Sequence, residues 1–479
     1  MLTTMTNTEV AHKKAPQRAF GFKKTALATL VLLSIGMVAA CSGVPPQSNP
    51  DISADRSATL PSSAEVLAQM EKVANWQLPR IDHLSYLDNR REESLDPKKW
   101  VQGAFYAGLT QIAERSENPF YTNWISYKGA ELNWELGPRI YFADDQVIAQ
   151  TYIWHYLNHN QDERFLAPTK AAFETILANP PTNSLELTEP RDENRLHSCQ
   201  ARWCCADALF MAPATWLGLS EATGDPRYAE YAYKEARATV EYLFDEEHDL
   251  LYRDSRFKTR TGDFGEPLFW ARGSGWVFAG LARMMEFIPE DHPERDYYET
   301  LFLRMAAKLK SLQKKDGSWA MSLLAGDKMP QPETSGTGFF TYGLAWGIKN
   351  GLLDAAEYEE TVAKGWNVLN AAVHPDGKLG WVQAIGAAPS SVSYDDSQIY
   401  GVGAYLLAGS AIYDIMAARE RVDATDTSEA GQSSTINAPR VLAFARFVPE
   451  HQDDFAWEAA DDITNDKDWS MYLDTQAKM

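Results

Sequence analysis

Residues 195–219 read RLHSCQARWCCADALFMAPATWLGL and include a helix whose side chains are apolar or small on every side. A helix without a polar face has to be buried all round, so this one is expected in the interior of the protein. Asp207 stands at its start, directly behind Trp203, Cys204 and Cys205. A buried carboxylate is costly unless it is hydrogen-bonded or protonated. Asp207 is therefore either the N-cap of this helix or a functional acid.

Five further segments share this small and apolar composition: WVQGAFYAGLTQI (100–112), ADDQVIAQTYIWHYL (143–157), GSGWVFAGLARMM (273–285), GTGFFTYGLAWGI (336–348) and SQIYGVGAYLLAGSAIY (397–413). They alternate with charged amphipathic helices, five of which open on an aromatic residue: Phe120, Phe165, Tyr228, Tyr298 and Tyr358. With an opening helix at 62–74, the pattern predicts an all-α fold, an α/α six-hairpin barrel with six inner and six outer helices. An open solenoid is the alternative, but it would need polar ends, and the last helix is apolar.

The loops that lead into the inner helices are expected to form the rim of the barrel and to contain short β-hairpins. The candidate segments are 249–264, 315–324 and 376–385. Because all six inner helices begin on the same side of the ring, polar residues at their starts should converge there.

The two ends of the chain differ from the barrel in composition. Lys23 and Lys24 precede a short apolar run that ends at Cys41, so residues 1–41 are predicted to be a lipoprotein signal peptide whose Cys is lipidated. A transmembrane anchor is the alternative for this run. Residues 42–61 are predicted to be a flexible tether, 62–419 the catalytic domain, and 420–479 a linker with an acidic tail. The expected location is the bacterial cell envelope, lipid-anchored, with the outer membrane favoured by Ser42.

The net charge of −21, from 66 acidic and 45 basic residues, argues against nucleic acid as a partner. An anionic substrate would therefore need a local basic pocket. The 15 tryptophans and 21 tyrosines are compatible with sugar binding as well as with a large core. The clustered Cys199, Cys204 and Cys205 are odd in number, unlike a disulfide framework, and lack the second cluster that would complete a zinc site. A local disulfide among them stays open.

The starts of the inner helices carry the candidate site residues. Besides Asp207, they are Asp144 and Asp145 at the second inner helix, and Trp270, Arg272 and Trp276 in FWARGSGW at the fourth. Glu333 precedes the fifth and Asp395–Asp396 the sixth. Each acid could be a helix cap, and Arg272 could form a structural ion pair. Taken together they suggest an acid held neutral near Trp203 and Phe210, and a cation for a substrate carboxylate.

The segments WCCADALFMAP, FWARGSGW and ADDQVIAQTY resemble the unsaturated rhamnogalacturonyl and glucuronyl hydrolases of glycoside hydrolase family 105, with family 88 as a related family. The resemblance spans about residues 64–416 and implies an α/α barrel, with no metal and no organic cofactor. It also implies that an Asp protonates C4 of a 4,5-unsaturated uronic acid at the non-reducing end of a lyase product, and that water adds at C5. Asp207 then matches the catalytic acid, Asp145 is preferred to Asp144 as the second acid, and Arg272 holds the uronate between Trp270 and Trp276.

This sequence departs from the family pattern in a loop where many relatives carry a histidine, and Arg253 stands there instead. His197 and Trp203 are further candidates for binding the substrate. The sugar next to the uronate, rhamnose of pectin or sulfated rhamnose of ulvan, is left open. The competing functions are an inverting glycosidase, which would use two carboxylates about 6.5 to 9.5 Å apart, an epimerase, and a non-catalytic glycan-binding lipoprotein.

Overall fold

The computed structural model describes residues 59–87, 91–192 and 196–429. The predicted signal peptide with Cys41, nearly all of the tether, and the tail from residue 430 lie outside this part. The α-helices of the described part are α1 Ser63–Gln77, α2 Glu92–Leu95, α3 Trp100–Ala113, α4 Phe120–Glu131, α5 Ala149–Asn158, α6 Ala167–Ala178, α7 Ala208–Met211, α8 Pro213–Thr223, α9 Pro226–Leu243, α10 Ala271–Met285, α11 Arg295–Leu312, α12 Thr334–Lys349, α13 Ala355–Ala371 and α14 Ile399–Glu429.

The apolar helices form a closed inner ring. In chain order, α3, α5, α7 with α8, α10, α12 and α14 each pack on the next, and α14 packs back on α3. The helices α1, α4, α6, α9, α11 and α13 alternate with them along the chain, and α9, α11 and α13 pack on the inner helices that precede them. The predicted six-hairpin barrel is confirmed. Because the ring closes, the open solenoid is wrong.

Glycine permits this closure between the first and last inner helices. A Cβ atom on Gly403 would lie 2.4 Å from the carbonyl oxygen of Ala104, and one on Gly108 would lie 2.6 Å from that of Gly403. Both distances are shorter than any real carbon–oxygen contact of this kind, and the obstacle is backbone, which cannot rotate away. The small residues of the inner segments are therefore needed for the backbones of α3 and α14 to touch.

The outer helices are anchored by the aromatic residues that mark their starts in the sequence. Phe120, Phe165, Tyr228, Tyr298 and Tyr358 are all buried against the core. Each of these five outer helices thus inserts one ring near its N-terminus while its charged face stays at the surface.

The rim contains less regular β-structure than the sequence predicts. In the described part, one antiparallel pair joins β1, Phe244–Asp245, to β2, Leu250–Leu251. Elsewhere there are isolated bridges, such as Trp270 with Ser322 and Val373 with Leu379. The three loops named above are held mainly by turns and side-chain hydrogen bonds.

The last inner helix runs to Glu429, ten residues past residue 419, where the barrel domain was predicted to end. Among the described residues, one stretch, Ile399–Thr425, is long and apolar enough to cross a membrane. In its most apolar window 72% of the residues are buried inside the protein, as expected for an inner helix of the barrel.

Candidate active site

A cavity of about 370 Å³ opens where the inner helices begin. The N-terminal residues of α3 and α10, the turn before α5, the short helix α7 and the loop before α14 all contribute to its wall. The predicted convergence of helix starts therefore exists for most of the ring. Its lining consists of Arg91, Trp100, Asp144, Asp207, Met211, Arg253, Trp270, Arg272, Trp276, Ile385, Gly386 and Ala387.

Asp207 lies at the start of α7 but does not act as its cap. Its side chain accepts no hydrogen bond from the first backbone N–H groups of the helix. One carboxylate oxygen, Oδ2, accepts a hydrogen bond from Nη2 of Arg253 at 3.1 Å. The other, Oδ1, is buried and has no hydrogen-bond partner among the described residues. The side chain is 19% exposed, at the cavity, so a ligand there can reach this carboxyl group.

Arg253 connects Asp207 to a second, fully buried carboxylate. Its Nη1 donates to Oδ2 of Asp254 at 2.7 Å, and Arg256 donates to both oxygens of Asp254, each at 2.9 Å. Burial disfavours the charge of Asp254, but the hydrogen bonds from Arg256 and the charge of Arg253 outweigh it and lower its pKa to about 2. The sequence predicts Asp207 near Trp203 and Phe210, and the structure adds an ion pair that reaches Asp207 from the rim loop.

Arg272 is buried, and protein oxygens fix its guanidinium. Nη1 and Nη2 donate to the backbone carbonyls of Gln383 and Ala384, each at 2.9 Å. The guanidinium carbon lies 4.4 Å from the ring centre of Trp270 and 4.9 Å from that of Tyr400. None of the ion pairs in the described part of the chain involves Arg272, so the structural ion pair considered above is absent there. A rigid cation of this kind suits a carboxylate ligand.

The aromatic floor is formed by three tryptophans from inner-helix starts. Trp270 is fixed by a 3.0 Å hydrogen bond from its Nε1 to Oε1 of Gln383. Trp276 packs edge-on against Trp100, with ring centres 6.1 Å apart. Phe339 lies behind Trp276 with ring centres 4.2 Å apart. Packing from several helices therefore fixes these rings, which gives the cavity an apolar face for a sugar.

The charge balance of the cavity differs from that of the whole chain. Arg91, Arg253 and Arg272 line it together with two acids, Asp144 and Asp207. The N-termini of α3 and α10, which carry partial positive charge, also begin there. An anionic ligand is therefore favoured at this point despite the net charge of −21.

The preferred second acid, Asp145, is not in the cavity. It is fully buried, and Arg139 donates to both of its oxygens, from Nη2 at 2.6 Å and from Nε at 2.9 Å. Gly137 leaves the space that its carboxylate occupies, since a Cβ there would lie 2.5 Å from Cγ of Asp145. The neighbouring Asp144 points into the cavity instead. Of the two acids, Asp144 therefore lines the cavity and Asp145, the one preferred from the sequence, does not.

Trp203 and His197, two other candidates, also lie outside the cavity. Trp203 is buried in the core, edge-on to Tyr231 with ring centres 5.7 Å apart. His197 is buried in the loop before it, where its Nδ1 lies 2.9 Å from the carbonyl oxygen of Thr188. Both residues support the segment that leads to Asp207 and do not face a ligand there.

The open question of a disulfide is resolved in favour of a local bridge. Cys199 and Cys204 are bonded and close a short turn before Asp207. Cys205 is a buried free thiol, and burial raises its pKa to about 12. It is therefore a neutral packing residue at neutral pH.

Other acids at inner-helix starts have structural roles. Glu333 caps α12 by accepting hydrogen bonds from the backbone N–H groups of Ser335 and Gly336. The carboxylate of Asp396 accepts hydrogen bonds from Ser393 in the loop before α14. These acids stabilise the start of α12 and the loop before α14, and they do not line the cavity.

The cavity is also lined by residues that were not predicted from the sequence: Arg91, Trp100 and the segment 385–387. Trp100 carried a usable signal, because it begins an inner helix as Trp270 does. Arg91 lies in a polar stretch without periodicity, where no signal was available. Its Nη2 donates to the carbonyl oxygen of Ile385 at 2.8 Å, which joins the first rim loop to the last.

Comparison with known proteins agrees with this geometry. The model of Glycosyl Hydrolase Family 88 matches residues 69–416, and the chain belongs to this family. A relative named unsaturated 3S-rhamnoglycuronyl hydrolase, from Alteromonas sp. (strain LOR), is 40% identical over 399 residues, which cover 80% of this chain and 96% of the relative. A protein of the same name from Formosa agariphila is 36% identical over 356 residues, 73% of this chain and 90% of the relative.

Among solved structures, a family 88 glycosyl hydrolase from Bacteroides vulgatus is 27% identical, with a TM-score of 0.62 over 74% of this chain and 99% of that one. The resemblance to the related families 105 and 88 is thereby confirmed. The protein is an enzyme of the glycoside hydrolase class, and the hypothesis of a non-catalytic binding protein is set aside.

The two neighbouring acids give a direct test of their different positions. Asp145→Asn should destabilise the fold by about 3 kcal/mol, because it removes the charge of a fully buried carboxylate that is paired with Arg139. Asp144→Asn should leave the midpoint of thermal unfolding within a degree or two and lower the rate of hydrolysis at least tenfold. Thermal unfolding and steady-state rates of the two variants check this. Full activity in the Asp144 variant, with loss only in a folded Asp145 variant, would reverse the assignment.

Proposed function

We propose that this enzyme removes a 4,5-unsaturated uronic acid from the non-reducing end of oligosaccharides made by polysaccharide lyases. The observation that carries the proposal is the position of Asp207, whose side chain is partly exposed at a cavity that also contains the fixed cation Arg272. An acid and a carboxylate-binding arginine in one small cavity match a substrate that is both a uronate and an acid-sensitive enol ether. The names of the two relatives, which describe unsaturated rhamnoglycuronyl hydrolases, support the same class of substrate.

In the proposed reaction, Arg272 binds the uronate carboxylate and the ring lies against Trp270. Asp207 donates its proton to C4, and the positive charge that develops at C5 is shared with the ring oxygen. Water adds to C5 and returns a proton to the carboxylate of Asp207, while Asp144 orients that water. The hemiketal at C5 then opens by breaking its bond to the ring oxygen. The hemiacetal left at C1 releases the second sugar, so the sequence consumes one water and involves no redox change.

Asp207→Asn should abolish turnover, because an amide has no proton to give to C4. The loss is expected to exceed a thousandfold, with thermal unfolding almost unchanged, since the side chain is partly exposed at a cavity. The assay follows the ultraviolet absorbance of the unsaturated uronate, which disappears as C4 and C5 become saturated. Asp225→Asn, at the start of the outer helix α9, is the matched control and should keep the wild-type rate. A variant at Asp207 that retains most of its activity would refute the proposal.

We further propose that the sugar next to the uronate is a rhamnose that carries a sulfate ester, as in ulvan. The uronate end must enter deepest to reach Asp207, so the second sugar lies towards the opening. Arg91 lines the cavity and is exposed at that opening. A guanidinium in this position suits a sulfate on the second sugar.

Arg91→Gln should reduce the preference for a sulfated over a desulfated unsaturated disaccharide about tenfold, because it removes one charge-assisted contact to the sulfate. The value of kcat on the desulfated substrate should not change. Arg164→Gln, which removes an exposed surface arginine, is the control and should leave the ratio of kcat/KM values as in the wild type. An undiminished preference in the Arg91 variant would contradict this assignment.

We also propose that the enzyme is a lipoprotein of the cell envelope, anchored through Cys41. The support is the sequence: two lysines, an apolar run too short for a membrane span, and small residues before Cys41. Cys41→Ala should move the enzyme from the membrane fraction to the soluble fraction of cells. Unchanged membrane attachment of this variant would count against lipidation.

A further inference from the structure

We propose that Asp254 and Arg256, neither of which reaches the cavity, are positioning residues that set how readily Asp207 keeps its proton, by sharing the charge of Arg253. This inference rests on the proposed role of Asp207 as the acid. It concerns a row of four side chains with alternating charge, Asp207, Arg253, Asp254 and Arg256, which we call the charge row. Side-chain hydrogen bonds between 2.7 and 3.1 Å join each member of the row to the next.

The geometry of the charge row fixes Arg253 from behind. Asp254 is fully buried and starts a single helical turn, where its Oδ1 also accepts the backbone N–H of Arg256 at 3.0 Å. Asp254 is therefore locked by the backbone as well as by Arg256. Because Arg253 bonds to it through Nη1, only one arm of its guanidinium, Nη2, turns to Asp207. Because Asp254 is held in place and binds Nη1 of Arg253, it determines the direction in which Nη2 points.

The electrostatic consequence concerns the proton of Asp207. A lone arginine beside a carboxylate favours the ionised form, which cannot donate a proton. Arg253 is instead shared by two anions: burial opposes its charge, yet the carboxylates of Asp207 and Asp254 hold its pKa well above the ordinary value. Asp254 thus offsets part of the positive charge that Asp207 would otherwise feel. Arg256 in turn offsets part of the charge of Asp254.

Other groups also face Asp207, and none of them belongs to the charge row. They stay unchanged in the variants considered below, so a shift between variants reports the row alone. They are Asp144 from the turn before α5, Cys205 from the segment before α7, Arg272 from α10 and Arg91 at the opening.

Asp254→Asn provides the first test. The amide keeps an acceptor for Arg253 but has no charge, so the full positive charge of Arg253 acts on Asp207 and the acid loses its proton at a lower pH. The alkaline side of the pH profile of kcat should move down by roughly 0.5 to 1 pH unit. A variant that only loosened the structure would lower kcat at all pH values without this displacement.

Arg256→Gln provides the opposite test and does not depend on whether the first variant folds. Arg256 is partly exposed, and its loss leaves the negative charge of Asp254 less balanced. Asp207 should then keep its proton to a higher pH, and the alkaline side of the profile should move up by a few tenths of a pH unit. Arg419→Gln removes a comparable ion pair with Glu359 on the outside of the barrel and should move nothing.

The same shifts can be followed without turnover. In protein labelled with ¹³C at aspartate carboxyl carbons, the resonance absent from Asp207→Asn identifies the acid. Its titration midpoint in the free enzyme should fall in Asp254→Asn and rise in Arg256→Gln. Midpoints that stay together, or both move the same way, overturn the inference. A wild-type enzyme that leaves the unsaturated disaccharide intact would overturn the proposed function, whereas these midpoints would still decide the role of the charge row.

Discussion

The hydrogen bond between Arg253 and Asp207 is the interaction on which the site depends. It joins an acid at the start of an inner helix to a rim loop from another part of the chain. The bond fixes one oxygen of Asp207, while the other has no hydrogen-bond partner among the described residues. A proton donor next to an arginine is paradoxical unless the arginine is also balanced from behind, and Asp254 provides that balance. A residue outside the cavity thus holds the arginine that contacts Asp207.

The barrel makes this arrangement possible because its inner helices all begin at one end. Residues that are far apart in sequence, such as Trp100 at α3 and Trp276 in α10, meet there as side chains of a common wall. Close contact between helices requires small residues, as Gly108 and Gly403 show where the ring closes. The same contacts keep the tryptophans and Arg272 rigid, so the cavity is shaped before a ligand arrives.

The fold could be predicted because its signal is repeated: six apolar segments alternate with charged ones, and the pattern does not depend on any single residue. Asp207 and the segment FWARGSGW, with Trp270, Arg272 and Trp276, could be found for the same reason, since they stand at the starts of inner helices. The choice between Asp144 and Asp145 could not, because neighbouring residues in a turn point in different directions, and Gly137 and Arg139 decide which one is buried. The ion pair of Arg253 was missed because the path of a rim loop leaves no periodic trace.

The proposed role of Asp207 is to deliver a proton to C4 of an unsaturated uronate. The most direct measurement is a crystal structure of the Asp207→Asn variant with an unsaturated disaccharide bound. We expect the amide to lie about 3 to 3.5 Å from C4, with the uronate carboxylate on Arg272 and the second sugar towards Arg91. The contrary result is a disaccharide whose anomeric carbon lies between the side chains at 144 and 207, with C4 remote from both. It would contradict proton transfer from Asp207 to C4 and favour ordinary inverting hydrolysis.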